Sequence, residues 1–221
     1  MGIERKPELI KVGETYLKFD YEYSKANQVR IKEAYLNQVD QSSRQLFKNR
    51  EIFKISIEYE KGSLKTRVVI WGTITTLYLG IANYGSFRAG LRELINDARW
   101  FSENVIERID DGPNINHSDI IRTERRKALP GRIQELYNRI DRLERNLNNL
   151  SNNQTQTELQ RIKQEVSNLV TVLPNQDAQE FLNDLGQDYS QNLPSPDDRR
   201  TTYLMNRYGL ISDEEIEFIN E

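Results

Sequence analysis

The chain has 221 residues, 37% of them hydrophobic, with 31 Lys and Arg against 34 Asp and Glu. That near balance excludes a binder that relies on a generally basic surface, so nucleic acid is not an expected partner. The absence of cysteine excludes disulfides, thiolate nucleophiles, cysteine-ligated zinc and iron–sulfur clusters.

The opening, Met1 to Gly13, carries charges but no apolar core of the kind a secretory signal needs. Gly2 stands where a myristoylated glycine would, but Lys6 occupies the position at which that motif requires Ser or Thr. A cytoplasmic location is therefore expected, with membrane association as the alternative. From Leu17 to Tyr23, Leu, Phe and Tyr alternate with Lys, Asp and Glu, which suits a half-buried strand or a loop whose rings dock on the next helix. No Pro or Gly interrupts Ser24 to Ile52, and Val29, Ala34, Leu36, Val39, Leu46 and Phe47 follow a helix-compatible spacing that ends near Asn49.

Residues Ile52 to Trp71 carry the clearest strand pattern. Phe53, Ile55, Ile57 and Tyr59 alternate with Lys54, Ser56, Glu58 and Glu60; after a turn at Glu60 to Ser63, Leu64, Thr66, Val68 and Ile70 alternate with Lys65 and Arg67. A lone hairpin is marginal in water, so it needs a third strand, for which Leu17 to Tyr23 is the candidate, or a helix to pack on.

Val68 to Phe87 runs without a charge between Arg67 and Arg88. As a single helix of twenty residues it would rise about 30 Å, enough for a bilayer's hydrocarbon core. Because the second strand overlaps its first residues, only Gly72 to Phe87 remains for a helix, which is short for a crossing. Gly72, Thr76 and Gly80 are spaced four apart and form a candidate close-packing face. The segment is thus expected as a buried helix, with membrane insertion or exposure after a conformational change as alternatives. The stripe Phe87, Leu91, Leu94, Ala98, Phe101, Val105 and Ile109 then predicts an amphipathic helix over 87–109.

Asp110 to Asn114 breaks the pattern, and His117, the single histidine, reads as a linker residue rather than a metal ligand. Arg122, Arg125, Arg126 and Lys127 form a short basic cluster able to meet a phosphate or lipid head group, the plainer reading being a solvated helix end. Ile133, Leu136, Ile140, Leu143, Leu147 and Leu150 then repeat at alternating spacings of three and four, a heptad seam. After a polar break at Ser151 to Gln156, a second seam follows in Leu159, Ile162, Val166 and Leu169, continuing to Val172 or Leu173. Two such helices joined by a short polar link predict an antiparallel coiled-coil hairpin. Beyond Pro174 the pattern predicts a brief helix over 177–185, a loose linker from Gln187 to Asp198, a helix bearing Tyr203, Leu204, Met205 and Tyr208, and a capping box at Ser212 to Glu215.

The expected fold is α+β and mostly helical: a small antiparallel hairpin or three-stranded sheet packed on helices, then the coiled-coil hairpin and a short helical tail. Its parts are a core over 1–110, a linker with the basic cluster over 111–131, the hairpin over 132–173, and a flexible segment with C-terminal docking helices over 174–221. No phosphate-binding glycine loop is present, and the acidic pairs Asp110-Asp111, Asp197-Asp198 and Glu214-Glu215 sit at turns or helix starts, where capping explains them. No cofactor and no metal are expected. The expected function is non-enzymatic assembly or adaptor work through the coiled-coil arm, by self-association or with a protein partner. A membrane-inserting effector using Val68 to Phe87 is the alternative, and an enzyme the least favoured reading.

Overall fold

The structure, a computed structural model, describes residues 8–20, 24–27, 29, 33, 36, 39, 53–59, 65–80, 86–110, 120–126 and 128–209. Among them the chain is mostly helical, with a small antiparallel sheet packed against helices. The strands are β1 (Ile10–Phe19), β2 (Phe53–Tyr59), β3 (Lys65–Gly72) and β4 (Ile120–Arg126), in the spatial order β2-β3-β1-β4. The helices are α1 (Ile74–Gly80), α2 (Phe87–Asp110), α3 (Leu129–Asn146), α4 (Asn152–Val172), α5 (Asn175–Asp184), α6 (Gln187–Ser190) and α7 (Asp198–Tyr208).

The two alternating segments pair as the period-2 pattern requires, with Ile55 opposite Ile70 and Ile57 opposite Val68. The third strand begins earlier than its sequence pattern suggests. It runs from Ile10, takes in only Leu17 to Phe19 of the expected segment, and is buried at every position except Lys18. A strand covered on both faces shows no clean alternation, which hides Ile10 to Tyr16 from a pattern search. Near its start the register shifts between Lys11 and Gly13. Gly13 is needed there because α2 comes close: a Cβ added at Gly13 would lie 3.1 Å from the Cβ of Ala98.

The fourth strand corrects the expectation of a linker throughout 111–131. Arg122, Arg125 and Arg126 lie on β4, opposite Lys18, Thr15 and Glu14 of β1. Four charged residues among the seven of β4 mask any apolar period, so nothing in that stretch announces a strand.

The charge-free stretch does not form one helix. Val68 to Gly72 belong to β3, α1 takes Ile74 to Gly80, and α2 begins at Phe87. Thr73 makes the break: its Oγ1 accepts the N–H of Thr76 at 3.0 Å and starts a new helix directly after the strand. Gly72 closes a strand, so Gly72, Thr76 and Gly80 do not share a helical face. Val68, Val69, Ile70, Trp71, Ile74 and Leu77 are all buried. Among the described residues no helix is long and apolar enough to cross a membrane.

On α2 the residues Phe87, Leu91, Leu94, Phe101 and Val105 are buried, and Ser102 binds it to the sheet by accepting the Thr15 hydroxyl at 2.7 Å. The same core continues through α3, α4, α5 and α7 without interruption. The expected loose linker after Gln187 is instead strapped to α4. Lys163 Nζ donates to the Gln191 carbonyl at 3.0 Å, Ser167 Oγ to that of Pro194 at 2.7 Å, and the Asp197 N–H to Asn168 Oδ1 at 2.8 Å. The polar composition of this strap reflects its hydrogen bonding to a helix surface rather than freedom. Asp197 then caps α7 by accepting the N–H groups of Arg199 and Arg200.

Several expected features lie outside the described residues: the turn at Glu60 to Ser63, His117, Lys127 and the Ser212 to Glu215 capping box. Most of the helix expected over Ser24 to Asn49 does too; Lys25 to Asn27, Val29, Glu33, Leu36 and Val39 are helical.

Candidate functional site

The hairpin of α3 and α4 holds an open concavity. Pro130 lies in the first turn of α3, where its missing N–H is harmless, and α4 starts with a reciprocal capping box between Ser151 and Gln154. Two ion pairs show the helices to be antiparallel. Arg132 meets Glu165 at 2.8 Å, and seven residues further along α3 Arg139 meets Glu158, seven residues earlier on α4.

The predicted seam residues divide along this hairpin. Ile133, Leu136, Ile140, Leu143, Ile162, Val166 and Leu169 are buried in a core shared with α2, α5 and α7. Leu150 and Leu159 are half-buried, and Leu147, in a short 3-10 turn at the tip, is 47% exposed. The inner part of the stripe is thus covered by the chain's own helices, while its distal end faces outward.

The hairpin forms a groove of about 830 Å³. Glu135, Arg139, Arg142 and Asn146 line it from α3, and Asn153, Thr157, Glu158 and Arg161 from α4; Leu143 and Leu150 supply its apolar surface. Arg142 is exposed and has no ion-pair partner among the described residues. Glu158 crosses the groove floor to Arg139 and also lies 3.7 Å from Arg161. The Arg139 hydrogen bond, followed by the charges of Arg139 and Arg161, holds the Glu158 carboxyl below the usual carboxylate range against the opposing push of burial.

A depressed carboxyl stabilises the fold above its unfolded pKa and loses that contribution as pH falls through the folded value. The Arg139–Glu158 pair is therefore expected to persist through the ordinary carboxylate range and to open only below it. An NMR titration following the Glu158 side-chain carbonyl checks this, and Arg139→Gln should move the midpoint upward.

The opposite flank of α3 is an anchor. The Tyr137 hydroxyl donates to Asp184 Oδ2 at 2.7 Å, and Phe181 meets the Tyr137 ring edge-on at 6.0 Å. The Arg88 guanidinium lies 4.8 Å from that ring's centroid and pairs with Asp141. Burial, then the Asp184 bond, pushes the Tyr137 phenol above its ordinary range, so it is a neutral donor and not a base.

A second cavity of about 400 Å³ lies between β1, α2 and the start of α3, with Glu14, Asn96, Arg99 and Ser102 in its wall. Ser102 donates to the Ala98 carbonyl at 2.9 Å and accepts from Thr15. No group of three His, Cys, Asp or Glu among the described residues can hold a metal ion. Arg122, Arg125 and Arg126 are on β4.

One residue that pattern reading missed is Asp177. It is buried on α5, and its carboxylate accepts the N–H groups of Ile74 and Thr75 at 2.8 and 2.7 Å and the Thr75 hydroxyl. An acid in the first turn of a helix looks like ordinary dipole compensation, and its partners lie about a hundred positions away, so no local signal identifies it. No family model, curated protein or solved structure matches this chain.

Proposed function

We propose that the protein is a non-enzymatic assembly or adaptor module whose contact element is the distal half of the α3–α4 hairpin. The observation that carries this reading is the open groove, lined by Leu143 and Leu150 together with arginine, glutamate and asparagine. That distribution suits a protein contact, in which an apolar centre is ringed by polar groups and arginine is favoured over lysine. Grooves between paired helices also take a further helix along their length. The hairpin is held firmly enough to present such a surface, since α3 is anchored to α2 and α5 through Tyr137, Asp141 and Asp184. The contact expected of the whole heptad seam thereby narrows to its outer end, because the inner residues already pack within the chain. The alternative use of Val68 to Phe87 in a membrane gains no support, as its residues from Val68 to Leu77 lie in strand, short helix and core.

The test is site-specific photo-crosslinking in cells expressing the full chain, with the reactive residue placed at Leu147, Arg142 or Thr157 and, as control, at Asn183 on the exposed side of α5. Adducts heavier than the 26.0 kDa chain at the groove positions, absent at Asn183, are the expected result. Absence of adducts at Arg142 and Thr157 in the groove and at Leu147 on the tip overturns the proposal. Leu147→Asp should change stability by no more than about 0.5 kcal/mol, as expected for an exposed site, while abolishing the adduct formed from Arg142. Urea unfolding of the variant checks the first half of that expectation.

A further inference from the structure

We infer that the occupant of the groove is an acidic amphipathic helix of a protein partner, whose carboxylates meet Arg142 on α3 and Arg161 on α4. The inference rests on the hairpin being the contact element, and it adds the chemistry of the partner.

The acids in the groove wall are already matched. Glu135 meets Arg132 at 3.3 Å, and Glu158 meets Arg139 across the groove. The arginines are not matched in the same way. Arg142 is exposed and has no ion-pair partner among the described residues. Arg161 is 66% exposed and lies 3.7 Å from Glu158, a carboxylate that Arg139 already holds. The charge left over in the groove is therefore positive, and it stands beside the apolar surface of Leu143 and Leu150. Such a surface is complementary to apolar residues flanked by acids. Arginine meets a carboxylate through a planar fork, which narrows the partner's chemistry further than lysine would.

The Arg139–Glu158 pair also sets the spacing. Arg142 is three residues nearer the hairpin tip than Arg139, and Arg161 three residues nearer its base than Glu158. The two arginines thus stand on opposite walls, about six residues or about 9 Å apart along the groove. A helix laid lengthwise meets one of them on each flank if it carries two acids about that far apart, with apolar residues between them to cover the leucines. A nucleic-acid strand fits less well, since it brings a phosphate at every step and Glu135 and Glu158 line the same groove.

Fluorescence anisotropy of labelled peptides against the full chain tests this. The probes are helical peptides of about 20 residues with a leucine stripe and two glutamates about five to seven residues apart, and the same peptides with lysine in place of glutamate. The glutamate peptide of best-fitting spacing should bind with a dissociation constant on the order of 100 μM or below, and its lysine counterpart at least about tenfold more weakly. Arg142→Glu should weaken the glutamate peptide about tenfold and strengthen the lysine peptide, and Arg161→Glu should do the same from the other wall. The gain of lysine-peptide binding shows that the variant chain is folded. Equal binding of both peptides, no binding by any of them, or binding indifferent to both reversals overturns the inference. So does a duplex oligonucleotide that binds more tightly than every peptide and is released by Arg142→Glu, or a dimeric mass in light scattering that Arg142→Glu dissolves; these assign the groove to nucleic acid or to a second copy. If peptide charge makes no difference while groove positions cross-link in cells, the acidic partner is excluded and the contact element stands. Loss of both signals removes both.

Discussion

Replacing Asp177 with alanine is expected to cost about 3–5 kcal/mol, because two buried N–H groups and a hydroxyl then lose their acceptor at about 1–3 kcal/mol each. The size of the effect follows from where α1 begins. It rises directly from the end of β3, and its first N–H groups have no intrahelical partner. Asp177 is 0% exposed, so water does not replace the carboxylate that now receives Ile74 and Thr75. Asp177→Asn keeps one oxygen acceptor and should cost less, about 1–2 kcal/mol. Burial pushes the Asp177 carboxyl up, and the three donors pull it only partly back. A carboxyl raised in the folded state contributes stability that is fully present below its unfolded pKa and is lost as pH rises through the folded value. The penalty of Asp177→Asn relative to the original chain should therefore grow as the solution is taken from neutral to below about pH 4. Urea titrations of both proteins at a series of pH values measure it. An Asp177→Ala midpoint matching the original chain would mean that α1 finds its capping elsewhere.

The same residue marks where local sequence stops informing on structure. Phe53 to Tyr59 and the first residues of β3, Lys65 to Val68, were legible because they alternate in polarity, whereas Val69 and Trp71, buried on the parity of Lys65 and Arg67, end the alternation. The stripe from Phe87 and the two leucine-rich seams were legible for the equivalent helical reason. β1 was legible only at its end, since burial on both faces erased its period, and β4 not at all, since charges dominate it. For the candidate site the seam announced that Ile133 to Leu150 has a face to cover, but a stripe does not say which chain covers it. Phe181 and Ile133 belong to one core although they come from segments assigned to separate parts of the chain. The groove was invisible for a related reason: Glu135, Arg142, Asn153 and Thr157 become neighbours only when α3 and α4 fold back on each other.

Phe181→Ala should be about as damaging as the loss of Asp177, at about 3–5 kcal/mol, the usual range for truncating a buried aromatic ring. Phe181 is 0% exposed on a helix of only ten residues, yet it joins three elements. Its ring lies 6.0 Å from Phe87 at the start of α2 and 6.0 Å from Tyr137 in the middle of α3. Removing it leaves a cavity between the layer that carries the sheet and the hairpin that carries the groove, and neither Phe87 nor Tyr137 is free to fill it. Tyr137 is fixed by its hydroxyl on Asp184, and Phe87 by its place at the head of the α2 stripe. The α3 anchor should loosen before the sheet does, because β1, β2 and β3 hold one another by paired strands that do not involve α5. Native-state hydrogen exchange of Phe181→Ala is therefore expected to show faster exchange in α3 and α5 than in β1 and β3. Equal acceleration in all four would mean that the sheet depends on the hairpin for its stability.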